Sequence, residues 1–421
     1  MSVEIETLIF AVRQNRRYVA LIKSISGIRG TIGGKPGENL TPLDVVKFTA
    51  AFGSFLLQQK SSGKIVVGRD GRISGPMVSD LVVKTLTGLG FDVIDLGLST
   101  TPTVEMAVKW EQAKGGIIIT ASHNPKEWNA LKLLNEEGEF ISAEEGQIVL
   151  DNAQKENFQF VPVDKLGKYS VNESYRERHI DTVINYPLVD IKSITAKKYR
   201  VVVDAINSTG ALFVPPLLKA LGIAEVKLIN GEVNGKFAHN PEPLPENLSG
   251  LSAEVKKSGF DFGIAVDPDV DRLCFVCEDG SMFGEEFTLV AVADYVLGKR
   301  KGNTVSNMSR TKALKEITLK HGGEYFPSAV GEVNVVNKMK QVNAVIGGEG
   351  NGGIIVPDLH YGRDALIGIG LFISALSMHK NGLKSFRAKY PDYFISKNKI
   401  ELQNGIDVKS IFEKIRKKYK N

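Results

Sequence analysis

A serine and a histidine at the end of an apolar run are the first groups in this chain that could do chemistry. The run is Gly115-Gly-Ile-Ile-Ile-Thr-Ala-Ser-His-Asn-Pro125. Ile117 to Ile119 read as a buried strand, and Pro125 with the polar residues before it reads as a tight loop. Ser122 then stands at the end of a strand, where parallel sheets place their ligands. A hydroxyl held there can accept and donate a phosphoryl or acyl group. His123 and Asn124 follow directly, and Lys132 lies ten positions on. For a Ser-His pair alone, a polar turn would be explanation enough.

The neighbours argue for more. In Asp267-Pro-Asp-Val-Asp-Arg272 three aspartates recur at a spacing of two, which would set them on one side of an extended segment. Packed carboxylates repel one another, so the cluster asks for a cation, and hard oxygen ligands favour magnesium or calcium. The run lies between two apolar stretches, Asp261-Phe-Gly-Ile-Ala-Val266 and Leu273-Cys-Phe-Val-Cys277. A charged cluster between buried strands reads as a site rather than as a solvated acidic turn.

Two further stretches, Gly347-Gly-Glu-Gly-Asn-Gly-Gly353 and Ser26-Gly-Ile-Arg-Gly30, complete a set. In this order the four motifs resemble the α-D-phosphohexomutase family of phosphoglucomutases, phosphomannomutases and phosphoglucosamine mutases. The resemblance spans residues 21–387. It implies an α/β fold of three similar mixed α/β domains around a central cleft, with a truncated or abbreviated fourth domain. It also implies a reaction, the movement of phosphate between C1 and C6 of a hexose phosphate through a phosphoserine and a bound hexose 1,6-bisphosphate.

The resemblance assigns roles residue by residue. Ser122 would carry the phosphate, and Asp267, Asp269 and Asp271 would hold Mg²⁺ with an oxygen of Ser122 completing the shell. Arg272 and Arg29 would contact the phosphate. Lys132 matches the general base, its pKa expected to be lowered by nearby cations, and His123 would assist. Gly348, Glu349 and Asn351 would form the sugar-binding loop, Glu349 accepting from two hydroxyls. Gly331-Glu-Val-Asn334 is a further specificity stretch.

The chain departs from the family pattern in three places. Asn351 stands where Ser is common, so the motifs do not choose the sugar. Val270 stands where Gly or Ala is common, and a β-branched residue stiffens the turn. No run of the type Arg-x-Ser-x-Thr-Glu-Pro, the family's phosphate loop in its fourth domain, occurs. Two readings therefore stay open beside the mutase. One is a sugar-phosphate phosphatase, since Asp-x-Asp loops also serve hydrolysis. The other is a non-catalytic sugar-phosphate-binding relative.

The elements that must position these groups read as follows. Residues 1–20 are an N-terminal extension without assigned function. A first domain, 21–165, has strand-like runs at 64–67, 91–95, 117–119 and 130–134, with helical patterns near 42–60, 76–89 and 102–114. Pro42 and Pro76 mark helix starts. This alternation predicts a mostly parallel sheet covered on both faces. A second domain, 166–277, has strands at 200–204, 225–229 and 262–266 and a Pro-rich loop over 238–245. A third, 278–389, has strands at 344–346 and 354–356 and a helix from Asp364 to about Met378. Residues 390–421 are the partial fourth domain and end in a basic helix. Gly68-Arg-Asp70 recurs as Gly362-Arg-Asp364, too short an echo to establish a repeat.

Composition sets the limits. A chain of 421 residues, 43% hydrophobic and 24% charged, is long enough for about three domains. A net charge of +5 suits small anionic substrates and gives no case for nucleic acid. No stretch approaches the ~20 apolar residues of a membrane helix, and the acidic start argues against a signal peptide. Cys274 and Cys277 would point to opposite faces of a strand, as buried thiols of a reducing cytoplasm rather than zinc ligands. Gly33-Gly-Lys-Pro36 lacks the spacing of a P-loop, and no Gly-x-Ser-x-Gly elbow is present. His360 would either line the cleft or join domains.

Overall fold

The computed structural model describes residues 20–24, 27–59, 62–308, 311–393 and 408–418. Ser26, the extension up to residue 19 and most of 390–421 lie outside the described residues. Residues up to Pro391 form one compact unit and Asp392–Asn421 a second.

The first sheet contains β1 (Ile22–Ser24), β2 (Gly27–Thr31), β3 (Lys64–Arg69), β4 (Asp92–Leu98), β5 (Gly115–Ile119), β6 (Trp128–Leu134) and β7 (Tyr169–Val171), in the order β1-β2-β6-β5-β3-β4-β7. It is less parallel than the alternation predicts. β5, β3, β4 and β7 run parallel, but β5–β6, β6–β2 and β2–β1 are antiparallel. The cause is local: the serine loop is too short for a crossover helix, so β6 folds straight back on β5. β7 also carries the first sheet past residue 165, because Val93, Ile94 and Asp95 pair with Tyr169, Ser170 and Val171.

Helices cover both faces, and the strand period shows it. Ile117 and Ile119 enter the core under helices Pro42–Gln59 and Gly75–Gly88, whereas Ile118 enters the core under helix Thr101–Trp110. Gly116 lets that last helix approach closely, since a Cβ there would lie 2.8 Å from Val108. Helix Thr101–Trp110 starts where Thr100 accepts from the Thr103 N–H, with Pro102 in its first turn. Leu131 and Leu133 of β6 belong to the first core. Alternation therefore puts Lys132, paired with Ile118, on the side of helix Thr101–Trp110.

The second sheet has β8 (Arg200–Asp204), β9 (Glu225–Ile229), β10 (Phe262–Val266) and β11 (Leu273–Cys277), in the order β11-β10-β8-β9. The third has β12 (Asn303–Asn307), β13 (Tyr325–Ser328), β14 (Ala344–Gly348) and β15 (Ile354–Ile355), in the order β13-β12-β14-β15. In each, an antiparallel edge strand closes a parallel core. Cys274 and Cys277 are buried free thiols.

Helix Ala365–Ser377 is buried along its whole length and ties the last two sheets together. Phe372 stacks on Phe275 of β11 with ring centroids 3.7 Å apart. A Cβ on Gly368 would lie 2.9 Å from Ile354 Cδ1 and 3.0 Å from Leu273 Cδ2, so a side chain there would push those two tips aside. Among the described residues no helix is long and apolar enough to cross a membrane. In the second unit, the described residues are 392–393 and the basic helix Val408–Lys418.

Candidate active site

Ser122 lies just beyond β5, buried, with a left-handed backbone at φ +48°. A non-glycine residue held there is strained, and such strain collects at functional sites. What holds it is Arg72, whose side chain is fully enclosed. Arg72 donates to the carbonyls of Pro125 (2.7 Å), Trp128 (2.9 Å), Asn124 (2.7 Å) and Ser122, and its Nε donates to Asp70 at 3.0 Å. Asp70 also accepts from Thr120 Oγ1 at 2.7 Å, and Thr120 Oγ1 in turn accepts from the Ser122 N–H at 2.9 Å.

Ser122 Oγ donates to Asp267 Oδ2 at 2.6 Å, so the serine loop of the first sheet meets the aspartate loop of the second. His123 Nδ1 lies 3.4 Å from Ser122 Oγ. The aspartate loop is not the extended segment its spacing suggests. After β10 the chain turns over residues 268–270, with Val270 buried at φ +61°. The N–H groups of Asp271 and Arg272 fold back onto Asp267 Oδ1, each at 3.1 Å. This turn gathers the three carboxylates, whose oxygens lie within 4.8 Å of one another. It also explains why a small residue suits position 270: only glycine adopts that conformation freely.

Each carboxylate is held differently. Asp269 Oδ2 accepts from Lys132 Nζ at 2.7 Å and from Thr101 Oγ1 at 2.6 Å, at the start of helix Thr101–Trp110. Asp271 Oδ2 accepts from Arg363 Nη2 at 2.7 Å, with Lys132 at 3.5 Å. Arg363 reaches further: Nη1 donates to Glu349 Oε2 and Nε to Glu332 Oε2, both at 2.8 Å. Glu349 also accepts from Asn307 at 2.9 Å and from the Gly331 N–H at 3.2 Å. A Cβ on Gly348 would lie 2.0 Å from the Gly353 carbonyl, so the glycine is required for the loop to close.

The structure thus brings together Ser122, His123, Lys132, Asp267, Asp269, Asp271, Arg272 and Glu349. Arg29, half-buried on β2, is within electrostatic reach of Arg272; burial and that second guanidinium lower its pKa. Asn351 is placed in the glycine-rich loop, accepting from the Gly353 N–H at 3.2 Å.

The geometry agrees with what the chain resembles. Three family models describing the phosphoglucomutase/phosphomannomutase α/β/α domains I, II and III match residues 21–160, 177–280 and 285–393. A phosphoglucomutase/phosphomannomutase of Thermococcus kodakarensis is 34% identical over 391 residues, covering 92% of this chain and 84% of that protein. The chain belongs to the phosphoglucomutase/phosphomannomutase family. As a phosphohexomutase it is an isomerase. A phosphoglucosamine/phosphogalactosamine mutase of Sulfurisphaera tokodaii is 32% identical over 399 residues, covering 93% of this chain and 85% of that one. The crystal structure of a putative phosphomannomutase from Thermus thermophilus superposes with a TM-score of 0.79 at 25% identity, covering 88% of this chain and 83% of its own.

Within this mutase framework, the three aspartates fit a divalent cation. They are fully buried, and among the described residues Asp269 Oδ1 and Asp271 Oδ1 have no hydrogen-bond donor. Buried, unpaired carboxylate oxygens at this spacing are what a hard cation requires. Burial, together with the charges of Asp271 and Asp269, raises the Asp267 pKa well above the usual carboxylate range. Burial alone would raise Asp269 too, but Lys132 outweighs it and holds Asp269 below that range.

Lys132 corrects one expectation. Burial works to lower its pKa, but Asp269 and Asp271 overcome that and raise it above the ordinary lysine value. The aspartates, not neighbouring cations, decide. His123 goes the other way, lowered to about 4 by burial and by Arg272.

Several residues were invisible to sequence reasoning. Arg72, Thr101, Arg363 and Glu105 act through partners far away in the chain, and none lies in a recognised motif, whereas Glu332 lies in the Gly331–Asn334 stretch. The one signal was the echo of Gly68-Arg-Asp70 in Gly362-Arg-Asp364, which contains Asp70 and Arg363 without revealing their different partners. His360 joins domains: its Nδ1 lies 3.3 Å from Glu105 and its Nε2 3.3 Å from Asp364, which also pairs with His179 at 2.9 Å.

Proposed function

We propose that this mutase interconverts hexose 1- and 6-phosphates through a phosphorylated Ser122 and a bound hexose 1,6-bisphosphate. The observation that carries this reading is the 2.6 Å hydrogen bond from Ser122 Oγ into the three-carboxylate cluster. Phosphoryl transfer needs charge neutralisation and alignment more than covalent help. Asp267, Asp269 and Asp271 would hold Mg²⁺, which when bound offsets charge on the transferring group. Lys132, Arg272 and Arg29 add fixed positive charge around the same oxygen atoms.

In the first half-reaction a sugar hydroxyl attacks the phosphoserine phosphorus. The P–O bond to the sugar forms as the P–O bond to Ser122 breaks, and the hydroxyl proton ends on Ser122 Oγ by way of His123 Nδ1. After the bisphosphate turns over, Ser122 Oγ attacks the other phosphoryl group and the P–O bond to the sugar breaks. The serine proton passes to His123 Nδ1, 3.4 Å away and neutral at physiological pH, which returns it to the departing sugar oxygen. Lys132 stays protonated and serves as a charge rather than as a base. Glu349, braced by Arg363, recognises sugar hydroxyls. Burial of Ser122 favours transfer to sugar over transfer to water.

The test offers glucose, mannose and glucosamine phosphates with Mg²⁺ and a catalytic amount of hexose 1,6-bisphosphate, followed by phosphorus NMR. Exchange of the 1- and 6-phosphates is expected for at least one sugar. Release of free phosphate instead would make the protein a phosphatase, and binding without turnover would make it a non-catalytic relative.

A further inference from the structure

Arg272 already has an anionic partner that is neither sugar nor cation ligand. Its Nη1 donates to Glu242 Oε1 at 3.0 Å. Its Nε is buried and has no hydrogen-bond acceptor among the described residues; it lies 4.0 Å from Asp267 Oδ2, the oxygen on which Ser122 Oγ rests at 2.6 Å. The guanidinium therefore bridges the nucleophile's surroundings and Glu242. Glu242 comes from the Pro-rich loop, whose backbone is tied down independently. Phe237 lies against Arg72 at 5.0 Å, the Ala238 N–H donates to Asn207 at 3.1 Å, and the Glu242 carbonyl accepts from Asn247 at 2.8 Å. The Glu242 side chain is one-third exposed, against 9% for Arg272, so its carboxylate can turn into water without moving the loop.

We propose that Glu242 is a built-in competitor for phosphate, occupying Arg272 until a phosphoryl group on Ser122 or on the sugar displaces it. A guanidinium offers carboxylate and phosphoryl oxygens the same pair of donors, and the more highly charged dianion wins the exchange. The competition weakens the hold on phosphorylated ligands, which a bisphosphate that must turn over within the site requires. Glu242 is a positioning residue, acting through Arg272. The inference rests on the mutase reading for its purpose, but not for its measurement.

Inorganic phosphate is titrated calorimetrically into the full chain at fixed Mg²⁺ and ionic strength. Glu242→Gln is expected to bind phosphate about fivefold more tightly than the parent, the scale of a partly exposed ion pair. Glu246→Gln removes the same charge from an exposed position of the loop and is expected to leave affinity unchanged. Glu242→Asp, which keeps the charge but shortens the reach, is expected to fall between parent and Gln, and it replaces Gln as the test if that variant does not fold. Equal affinity in parent and Glu242 variants, or an equal gain in Glu246→Gln, overturns the proposal. A parent without mutase activity whose Glu242→Gln variant still gains phosphate affinity overturns the mutase reading and leaves this one standing.

Discussion

Ser122 and Asp267, separated by 145 positions, are joined by a 2.6 Å hydrogen bond from hydroxyl to carboxylate. That bond places the proposed nucleophile on the edge of the three-carboxylate cluster, and it makes the first prediction specific. Ser122→Ala is expected to remove phosphoenzyme and to lower turnover by roughly a thousandfold or more. Intact-mass spectrometry after incubation with a hexose 1,6-bisphosphate checks it; phosphate retained on the variant would show that another residue carries the group.

Asp269→Asn has two expected effects. The Mg²⁺ concentration for half-maximal activity should rise by about tenfold or more, because one ligand loses its charge. Stability should fall by about 3 kcal/mol, because Lys132 is left buried with only the longer contact to Asp271. Adding Lys132→Met should restore much of the stability and none of the Mg²⁺ response. Chemical denaturation and a metal titration separate the two effects.

Arg363 joins the aspartate cluster to the glycine-rich loop through three carboxylates, those of Asp271, Glu332 and Glu349. Arg363→Met leaves those carboxylates uncompensated and is expected to cost about 3 kcal/mol or more. Arg363→Lys keeps the charge but cannot reach three acceptors from one planar group. It is expected to keep most of the stability while raising the KM for hexose phosphate, the result of a loosened Glu349. An unchanged KM would detach Glu349 from sugar recognition.

Buried Glu105 and His360 make stability depend on pH. Burial raises Glu105 to about 8, countered in part by His360; His360 is raised to about 10 against its own burial by Asp364 and Glu105. Both groups therefore hold protons in the folded state that the unfolded chain gives up near its ordinary values of about 4.3 and 6.5. Stability from Glu105 is complete below about pH 4.3 and declines as pH rises through about 8. That from His360 is complete below about 6.5 and declines through about 10. Thermal unfolding should show a falling Tm from about pH 6 to about pH 10, and Glu105→Gln should flatten the lower part of that fall. A Tm that rises over this range would contradict the raised pKa values of Glu105 and His360.

The motifs legible in the sequence were those whose meaning is local. The serine loop, the aspartate run and the Gly-Glu-Gly-Asn-Gly stretch each carry their residues within a few positions, and the structure brings the three to one place. What stayed hidden depends on pairing over distance. Lys132 is legible in the sequence, but its pairing with Asp269 and Asp271, which raises its pKa, follows only from its register against Ile118. Arg72 looks like a surface arginine until the serine loop closes around it. β7 is too short and too exposed to be read as part of the first sheet. The spacing of the aspartates implied an extended segment with alternating faces, whereas a turn with a left-handed Val270 gathers the three carboxylates.

Arg72 has one more consequence. It grips carbonyls at 122, 124, 125 and 128, so the guanidinium measures out a fixed span of chain. Lys126 and Glu127, exposed within that span, are open to replacement by other side chains. One residue added or removed there would shift the carbonyls out of register with the fork. In this segment drift in identity is tolerable, whereas insertion or deletion is not.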